Sequence, residues 1–507
     1  MAIIGNVIKA GITIRKELKS VVDDPLETQR KQLKYLLDQA KSTSFGIYYN
    51  FSKILKSGSP IASFRRSVPI HTYEKIQERW WLQQQDNPNI TWPGKPDYYA
   101  LSASTTGKES KRIPVTNEML ESIRSVGIEQ FTSLANFDLP ADFFERDVLF
   151  LGSSTRLTRH KQHLEGEISG ISTNNLPDWF KGFYKPGLDI ASIPDWDERV
   201  EEIAKNATKW DVVGMSGIPS WIQIMMRRVI EHHKVKTIHD IWPNLQVYTS
   251  GGVAFEPYRE SFDELLAHPI YILDTYLASE GFFAYTARPD TMNMRLAVRN
   301  SIFFEFIPFD ERGFDDFGNL LDDPLTLTID QVEENQVYAL IASTPAGAWR
   351  YMIGDTVKFV DKDRLEIVLT GRTKFWLNVA GSQLAEDKMN DAIRQLSQAL
   401  DAKIEEFSVA AMPIGEAKYK HQWVLGSDDS FSESEAAEKL DAIIKDINKA
   451  YGMARERALK GIEVKHVSKD TFYNWLEKEK QKGGQTKTPK VLPKEGMEDF
   501  LDFIQNN

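Results

Sequence analysis

YILDTYLASEG, residues 271–281, decides the fold class. A strand-length run of aromatic and β-branched residues ends abruptly in Ala-Ser-Glu-Gly. The same shape recurs upstream in DVLFLGSS (147–154), WDVVGMSG (210–217) and LQVYTSGG (245–252). Segments with helical periodicity separate these runs, including IQIMMRRVIEHH (222–233) and PYRESFDELLA (257–267). Strand, small-residue turn and helix in repetition predict an α/β architecture with a largely parallel sheet. Ligands of such sheets sit at the carboxyl ends of the strands, where these turns lie.

Outward from this centre the pattern changes. SIFFEFIPF (301–309), QVYALIAST (336–344), WRYMIGDTVKFV (349–360) and LEIVLTGRT (365–373) are closely spaced strand candidates with acidic turns. They predict an antiparallel, barrel-like subregion. The first hundred residues read mainly as helix, with Leu33, Leu36 and Leu37 on one face of 28–40 and a second helix at TYEKIQERWW (72–81). MAIIGNVIKAGITIRKELKS at the start reads as an amphipathic helix rather than a signal peptide, since Lys9 interrupts it and no small-residue cleavage site follows. After residue 373 the periodicities predict a compact α+β unit. Its helices are 384–400, 433–457 and 468–481, its strands 405–413, 419–427 and 462–468, and a Gly-rich basic tail follows. Two domains are expected: 1–372, large, with mixed and parallel sheets, and 373–507, small and mobile.

Composition bounds the function. The 507 residues suffice for two to four domains at ~150 residues each. A net charge of -11 argues against a nucleic-acid or anionic-membrane surface. With no cysteine there is no disulfide, thiolate nucleophile, zinc–thiolate site or iron–sulfur cluster, and the chain suits a reducing cytoplasm. No stretch reaches the ~18 apolar residues of a membrane span. His160–His163 and His232–His233 lie close in sequence, but no acidic arrangement of metal-site type accompanies them, so no zinc site is expected.

The chemistry concentrates in four segments. In LSASTTGKESKRIPVT (101–116), Ser102, Ser104, Thr105 and Thr106 precede Gly107, and Lys108 and Lys111 follow. Hydroxyls and free backbone N–H groups in such a loop can wrap phosphate oxygens, and the lysines add positive charge. The Walker spacing is absent. Tyr276, Ser279 and Glu280 end the 271–281 run, Gly354 and Asp355 follow Arg350 and Tyr351, and Gly371 and Arg372 precede Gly381. Singly, each has a plain structural explanation.

Their joint order resembles the adenylate-forming superfamily. WPGKPDYYALSAS (92–104), GISTNNLPDWF (170–180), YTSGG, YLASEGFFA, Y-x-x-G-D-T-V and GGQTKTPKV (483–491) resemble, more narrowly and along nearly the whole chain, the auxin-responsive acyl acid amido synthetase family. Two departures stand out: Ser104 replaces a usual glycine of the phosphate loop, and Lys374–Phe375 replaces the superfamily's hinge aspartates.

The resemblance implies the adenylate-forming fold and a ligase that uses ATP and Mg²⁺ to adenylate a carboxylic acid and pass the acyl group to an amino acid. A coenzyme A ligase and a catalytically weak binding homologue are the alternatives. It further implies that the 102–111 loop grips phosphates, Glu280 helps hold Mg²⁺, Tyr276 and Ser279 border the nucleotide, Asp355 takes the ribose hydroxyls and Arg372 the ribose or the adenylate phosphate. Lys487 becomes the catalytic lysine, with Lys490 as substitute. Met119, Ile123, Met215 and Trp221 are the candidate acyl pocket. The oligomeric state stays open, a monomer being compatible.

Overall fold

The computed structural model describes residues 24–102, 110–252, 255, 258–315, 319–373, 377, 384, 386–415, 418–457, 459–478 and 488–506. The expected helix at 1–20 and the centre of the phosphate loop lie outside them. Eighteen strands are described. In chain order they are β1 (Tyr98–Ser102), β2 (Lys111–Val115), β3 (Asp147–Leu151), β4 (Thr158–His160), β5 (His163–Gly166), β6 (Tyr184–Lys185), β7 (Val212–Gly217), β8 (Val247–Gly251), β9 (Tyr271–Ala278), β10 (Gly281–Thr286), β11 (Met294–Leu296), β12 (Phe303–Pro308), β13 (Val337–Ser343), β14 (Tyr351–Asp361), β15 (Glu366–Arg372), β16 (Glu406–Gly415), β17 (Lys418–Gly426) and β18 (Leu459–Val467).

Eleven strands form one sheet in the order β12-β13-β14-β15-β11-β10-β9-β8-β7-β3-β6. From β9 through β8, β7 and β3 to β6 every pairing is parallel, and from β9 in the other direction every pairing is antiparallel. β9, drawn from the 271–281 run, is where the sheet changes mode. The antiparallel strands are thus continuous with the parallel ones, and they curl. β9 and β14 are separated by three strands, about 19 Å in a flat sheet. Yet the Tyr276 hydroxyl on β9 reaches Asp355 on β14 at 2.7 Å. The rings of Phe283 (β10) and Phe304 (β12) likewise lie 5.8 Å apart. This curl is the physical content of the barrel-like expectation.

A second sheet, β2-β1-β5-β4, carries the hairpin that frames the phosphate loop, and a third, β16-β17-β18, belongs to the C-terminal part. The apolar clusters divide in the same way. Those built from residues 33–367 contain none of the residues of those built from 377–500. Between the two parts, the Tyr258 hydroxyl donates to Glu406 Oε1 at 2.8 Å, and Lys403 pairs with Glu264.

Three elements differ from the sequence reading. The helix expected over 433–457 is two, Glu433–Ile447 and Lys449–Arg457, because Asn448 leaves helical geometry and its Oδ1 accepts from the Tyr451 N–H, capping the second. The expected basic tail ends instead in a helix, Lys494–Asn506, whose Met497 and Phe500 are buried; Phe500 stacks on Trp475 at 4.4 Å. Within 72–81 a π-helical segment, Gln77–Trp81, breaks the α-helix. Its extra residue per turn lets the adjacent Trp80 and Trp81 both face inward.

The N-terminal helices are pinned to the curled end of the sheet by Arg350. This residue belongs to the sequence segment of Asp355, but its role is structural. Its guanidinium makes a bidentate pair with buried Glu305 at 2.9 and 3.0 Å and donates to the carbonyls of Arg65 and Val68 at 2.9 and 2.8 Å. Glu305→Ala would strand a buried cation and cost about 3–5 kcal/mol, measured as a shift in urea unfolding.

His71 donates from Nδ1 to the Trp349 carbonyl at 2.8 Å, and burial drives its pKa down to about 4. The unfolded chain takes up this proton near pH 6.5, before the folded chain does. His71 therefore removes stability as pH falls from about 6.5 to 4, approaching about 3 kcal/mol. His71→Gln should flatten that part of the stability–pH curve, read from urea midpoints at pH 7 and 4.5.

Candidate functional site

Asp355 and Arg372 stand directly opposite each other in the β14–β15 ladder. The Gly-Asp and Gly-Arg segments are therefore cross-strand partners. Gly354 (φ +95°) and Gly371 (φ +131°) occupy backbone conformations that favour glycine. A Cβ at Gly371 would also collide with Glu386 Cβ at 2.6 Å, so this glycine lets the helix Glu386–Leu400 approach the strand.

The Asp355 carboxylate takes Arg372 Nε on Oδ1 at 2.8 Å and the Tyr276 hydroxyl on Oδ2 at 2.7 Å. Burial first, then Asp355, raises the Tyr276 phenol far above its usual range, so it stays a donor. Asp355 in turn pushes the Arg372 guanidinium further up.

Ser279 and Glu280 form the two-residue turn between β9 and β10, and both are buried. Burial raises the Glu280 pKa, the Lys111 charge opposes it, Asp355 reinforces it and Arg372 opposes it again. The Tyr351 hydroxyl is buried beside Glu280, and after burial the Glu280 carboxylate raises its pKa further.

Lys111 pairs with Ser102 at the end of the β1–β2 hairpin, and its ammonium lies 5.1 Å above the Tyr73 ring. Lys111, Tyr276, Glu280, Asp355 and Arg372 thus form one electrostatic cluster, contributed by β2, β9, the β9–β10 turn, β14 and β15. Ser104, Thr105, Thr106, Gly107 and Lys487 lie outside the described residues. Lys490 is committed elsewhere: it pairs with Glu406 at 3.1 Å and lies 4.5 Å above the Phe407 ring.

On the other face of β9 is a cavity of about 750 Å³. Alternation along the strand sends Tyr276 to Asp355 while Thr275 and Leu277 line the cavity. Its floor is the carboxyl ends of β3, β7 and β8, where the sequence turns place it. One wall is the helix Asn117–Ser133 and the other the segment 169–180. The lining is mainly apolar, and Arg124 is its one charged residue among those described.

Ile123 and Met215 line this cavity. Met119 and Trp221 pack elsewhere. Met119 is fully buried in the core of the N-terminal helices, and Trp221 packs against Trp196 at 4.4 Å. Trp221 follows the 212–217 strand closely in sequence, but the helix Pro219–His233 turns it away from the cavity. The sequence reading did not pick out Phe150, Thr275, Leu277, Trp179 or Phe180. The first three were accessible through the strand-end rule, and the last two stand within the 170–180 motif.

The GH3 family N-terminal domain matches residues 14–200, its central domain 295–365 and its C-terminal domain 387–495. The chain belongs to the GH3 family. Its curated relatives include a jasmonoyl–L-amino acid synthetase, GH3.5, of Oryza sativa subsp. japonica, 26% identical over 272 residues (50% of this chain, 46% of the relative). Another is an indole-3-acetic acid-amido synthetase, GH3.2, of Arabidopsis thaliana, 25% identical over 235 residues (43% and 42%). The chain spans about half the length of the curated relatives it matches.

Among solved structures, the AtGH3.15 acyl acid amido synthetase in complex with 2,4-DB superposes with a TM-score of 0.76 at 16% identity, covering 97% of this chain and 95% of that one. A 2-hydroxyisobutyryl-CoA ligase in the postadenylation state gives 0.59 at 11% identity, with 94% and 90% coverage. The GH3 chain therefore has the fold of the adenylate-forming enzymes, a large N-terminal part with sheets and a smaller C-terminal part.

Ile123→Phe should fill part of the GH3 cavity without burying a new polar group. We expect an apolar fluorescent probe that binds the wild type to lose at least tenfold in affinity, with the far-UV circular dichroism unchanged.

Proposed function

We propose that this protein is an ATP-dependent ligase that adenylates an apolar carboxylic acid and transfers the acyl group to the amine of an amino acid. The observation that carries this reading is β9 acting as a shared wall. A charged cluster built from four separated sequence segments lies on one face, and an apolar cavity lies on the other. An acid seated in the cavity needs only its carboxylate to pass the β9 edge to meet a nucleotide.

Attack of that carboxylate on the α-phosphate is opposed by charge repulsion, so the site must neutralise charge and fix the line of attack. Asp355 is an acceptor held in place by two donors, which suits a pair of ribose hydroxyls. Arg372, more than a third exposed, has room to turn part of its guanidinium toward the ribose or the adenylate phosphate. Lys111 and the hydroxyls of 102–106 would grip the β- and γ-phosphates.

The residues present fit a Mg²⁺ ion. Glu280 is a buried carboxylate beside the Tyr351 hydroxyl, and Mg²⁺ is commonly held by one or two carboxylates together with substrate phosphates. Glu280 would hold it, and the ion would supply charge neutralisation at the phosphate oxygens.

Lys487 remains the proposed catalytic lysine, on the ground of the 483–491 motif and of the engagement of Lys490 by Glu406. In the second step a neutral amine attacks the acyl carbonyl and AMP departs. A rotation of the 373–507 domain near 371–378 would exchange the groups facing the adenylate. The absence of cysteine and the demand for ATP agree with a cytoplasmic setting.

The decisive experiment incubates the protein with ATP, Mg²⁺ and a panel of apolar acids, adds amino acids or coenzyme A, and identifies products by mass. Acid-dependent AMP with an amide product is expected. A thioester would make the protein a coenzyme A ligase, and no AMP from any acid would remove the enzymatic reading. Asp355→Ala should raise the KM for ATP about ten- to a hundredfold, the worth of one charge-assisted hydrogen bond. Lys487→Ala should instead lower the adenylation rate about 10²–10³-fold with little change in ATP affinity.

A further inference from the structure

The second sheet holds a group of side chains that the ligase chemistry does not use. β4 and β5 form a tight ribbon whose turn, Lys161–Gln162, contains Lys161 at φ +51°. His160 and His163 are direct cross-strand partners flanking this turn. Glu165 follows His163 by two positions, so alternation puts it on the same face.

The donor atoms of His160, His163 and Glu165 all lie within 4.8 Å of one another. His163 Nε2 is 3.0 Å from Glu165 Oε1, and His160 Nδ1 is 3.8 Å from the same oxygen. A tetrahedral zinc ion, with bonds of about 2.0–2.1 Å, needs its donors roughly 3.3 Å apart. The two measured separations straddle that value.

We propose that His160, His163 and Glu165 form a binding site for a divalent transition-metal ion, of which Zn²⁺ is the natural occupant. The sequence reading expected no such site because it looked for an acidic partner of recognised arrangement. The ribbon supplies one through its register.

The His163–Glu165 hydrogen bond already aims the imidazole nitrogen and the carboxylate oxygen at each other.

Arg112 Nε donates to Glu165 Oε1 at 3.0 Å from the neighbouring β2 and orients the carboxylate, as outer partners of metal ligands do. The Tyr99 ring packs on His163 with centroids 4.5 Å apart and fixes its plane. His163 and Glu165 are buried, while His160 is 45% exposed and gives an ion its way in. Two imidazoles and a carboxylate form a three-ligand set that leaves a fourth position to water. The His239–His268 pair, with ring centroids 3.8 Å apart, offers less: His239 spends Nδ1 on the Ala267 N–H and Nε2 on the Leu245 carbonyl.

The test uses the full chain, freed of metal and titrated with Zn²⁺ by calorimetry and with Co²⁺ by visible absorption. In a protein without cysteine, a Co²⁺ spectrum reports nitrogen and oxygen ligands only. One ion per chain is expected, with Zn²⁺ raising the melting temperature. Loss of an outer partner typically costs about 10–100-fold in metal affinity. His160→Ala, at an exposed position that spares the fold, and His163→Gln should each cost at least that much, and His232→Ala should leave affinity unchanged. Absence of saturable binding would overturn the proposal, as would His160→Ala binding Zn²⁺ within twofold of the wild type.

Discussion

The Asp355 carboxylate, held by a tyrosine from one strand and an arginine from another, requires the long sheet to curl. The strands that carry Tyr276 and Asp355 could not meet in a flat sheet, since a side chain spans far less than the four strand spacings between them. The curl is maintained by ordinary packing: Phe283 against Phe304, and the buried Arg350–Glu305 pair that ties the N-terminal helices to the outer face. The residues of the charged cluster are therefore brought together by apolar and ionic contacts some distance away. This division suits a site whose own charges must remain available to a ligand.

The change from parallel to antiparallel pairing at β9 has a second consequence. A parallel sheet opens its strand ends to ligands, and here those ends form the floor of the apolar cavity. An antiparallel hairpin can return after two residues, and here the return places Glu280 beside the cluster. A single strand thus serves two environments, with alternate side chains addressing each. Reaction between an apolar acid and a polyanionic nucleotide needs such adjacency. The acid tail gains from leaving water, about 25 cal/mol per Å² of apolar surface, while the phosphates must keep charged partners.

Much of this was legible in the sequence because it is written in local pattern. The strand runs at 147, 210, 245 and 271 become strands within a few residues, and the Gly-Asp and Gly-Arg pairs mark backbone conformations that glycine tolerates. Side-chain direction was less legible. Met119 and Trp221 lie beside the right segments in sequence, yet helical rotation turns both into cores, and nothing in an apolar residue announces which apolar surface it joins. The helix break at Asn448 depends on one side-chain hydrogen bond, and the final helix was hidden behind a glycine- and lysine-rich stretch that reads as tail. The His160–His163–Glu165 group shows the same limit. Two-residue spacing is invisible as a motif until a tight turn folds the third donor onto it.

The charge balance of the cluster limits what it could bind unaided. Among its described residues the cluster holds two cations, Lys111 and Arg372, against two carboxylates, Glu280 and Asp355, and Arg372 is already bonded to Asp355. A cluster that is neutral by itself cannot also neutralise a triphosphate in a buried setting, where uncompensated charge is costly. Further positive charge has to arrive with the ligand or from another part of the chain. In the proposed reaction a divalent cation on Glu280 would supply part of it, and Lys108 with the tail of the small domain would supply the rest. With the tail's Lys490 held by Glu406, the burden on that side would fall on Lys487. The separation of the chain into two packed parts would then have an electrostatic reason. A cation needed while the phosphates are together, and superfluous once pyrophosphate has left, would be best carried by a part that moved, as the proposed rotation requires.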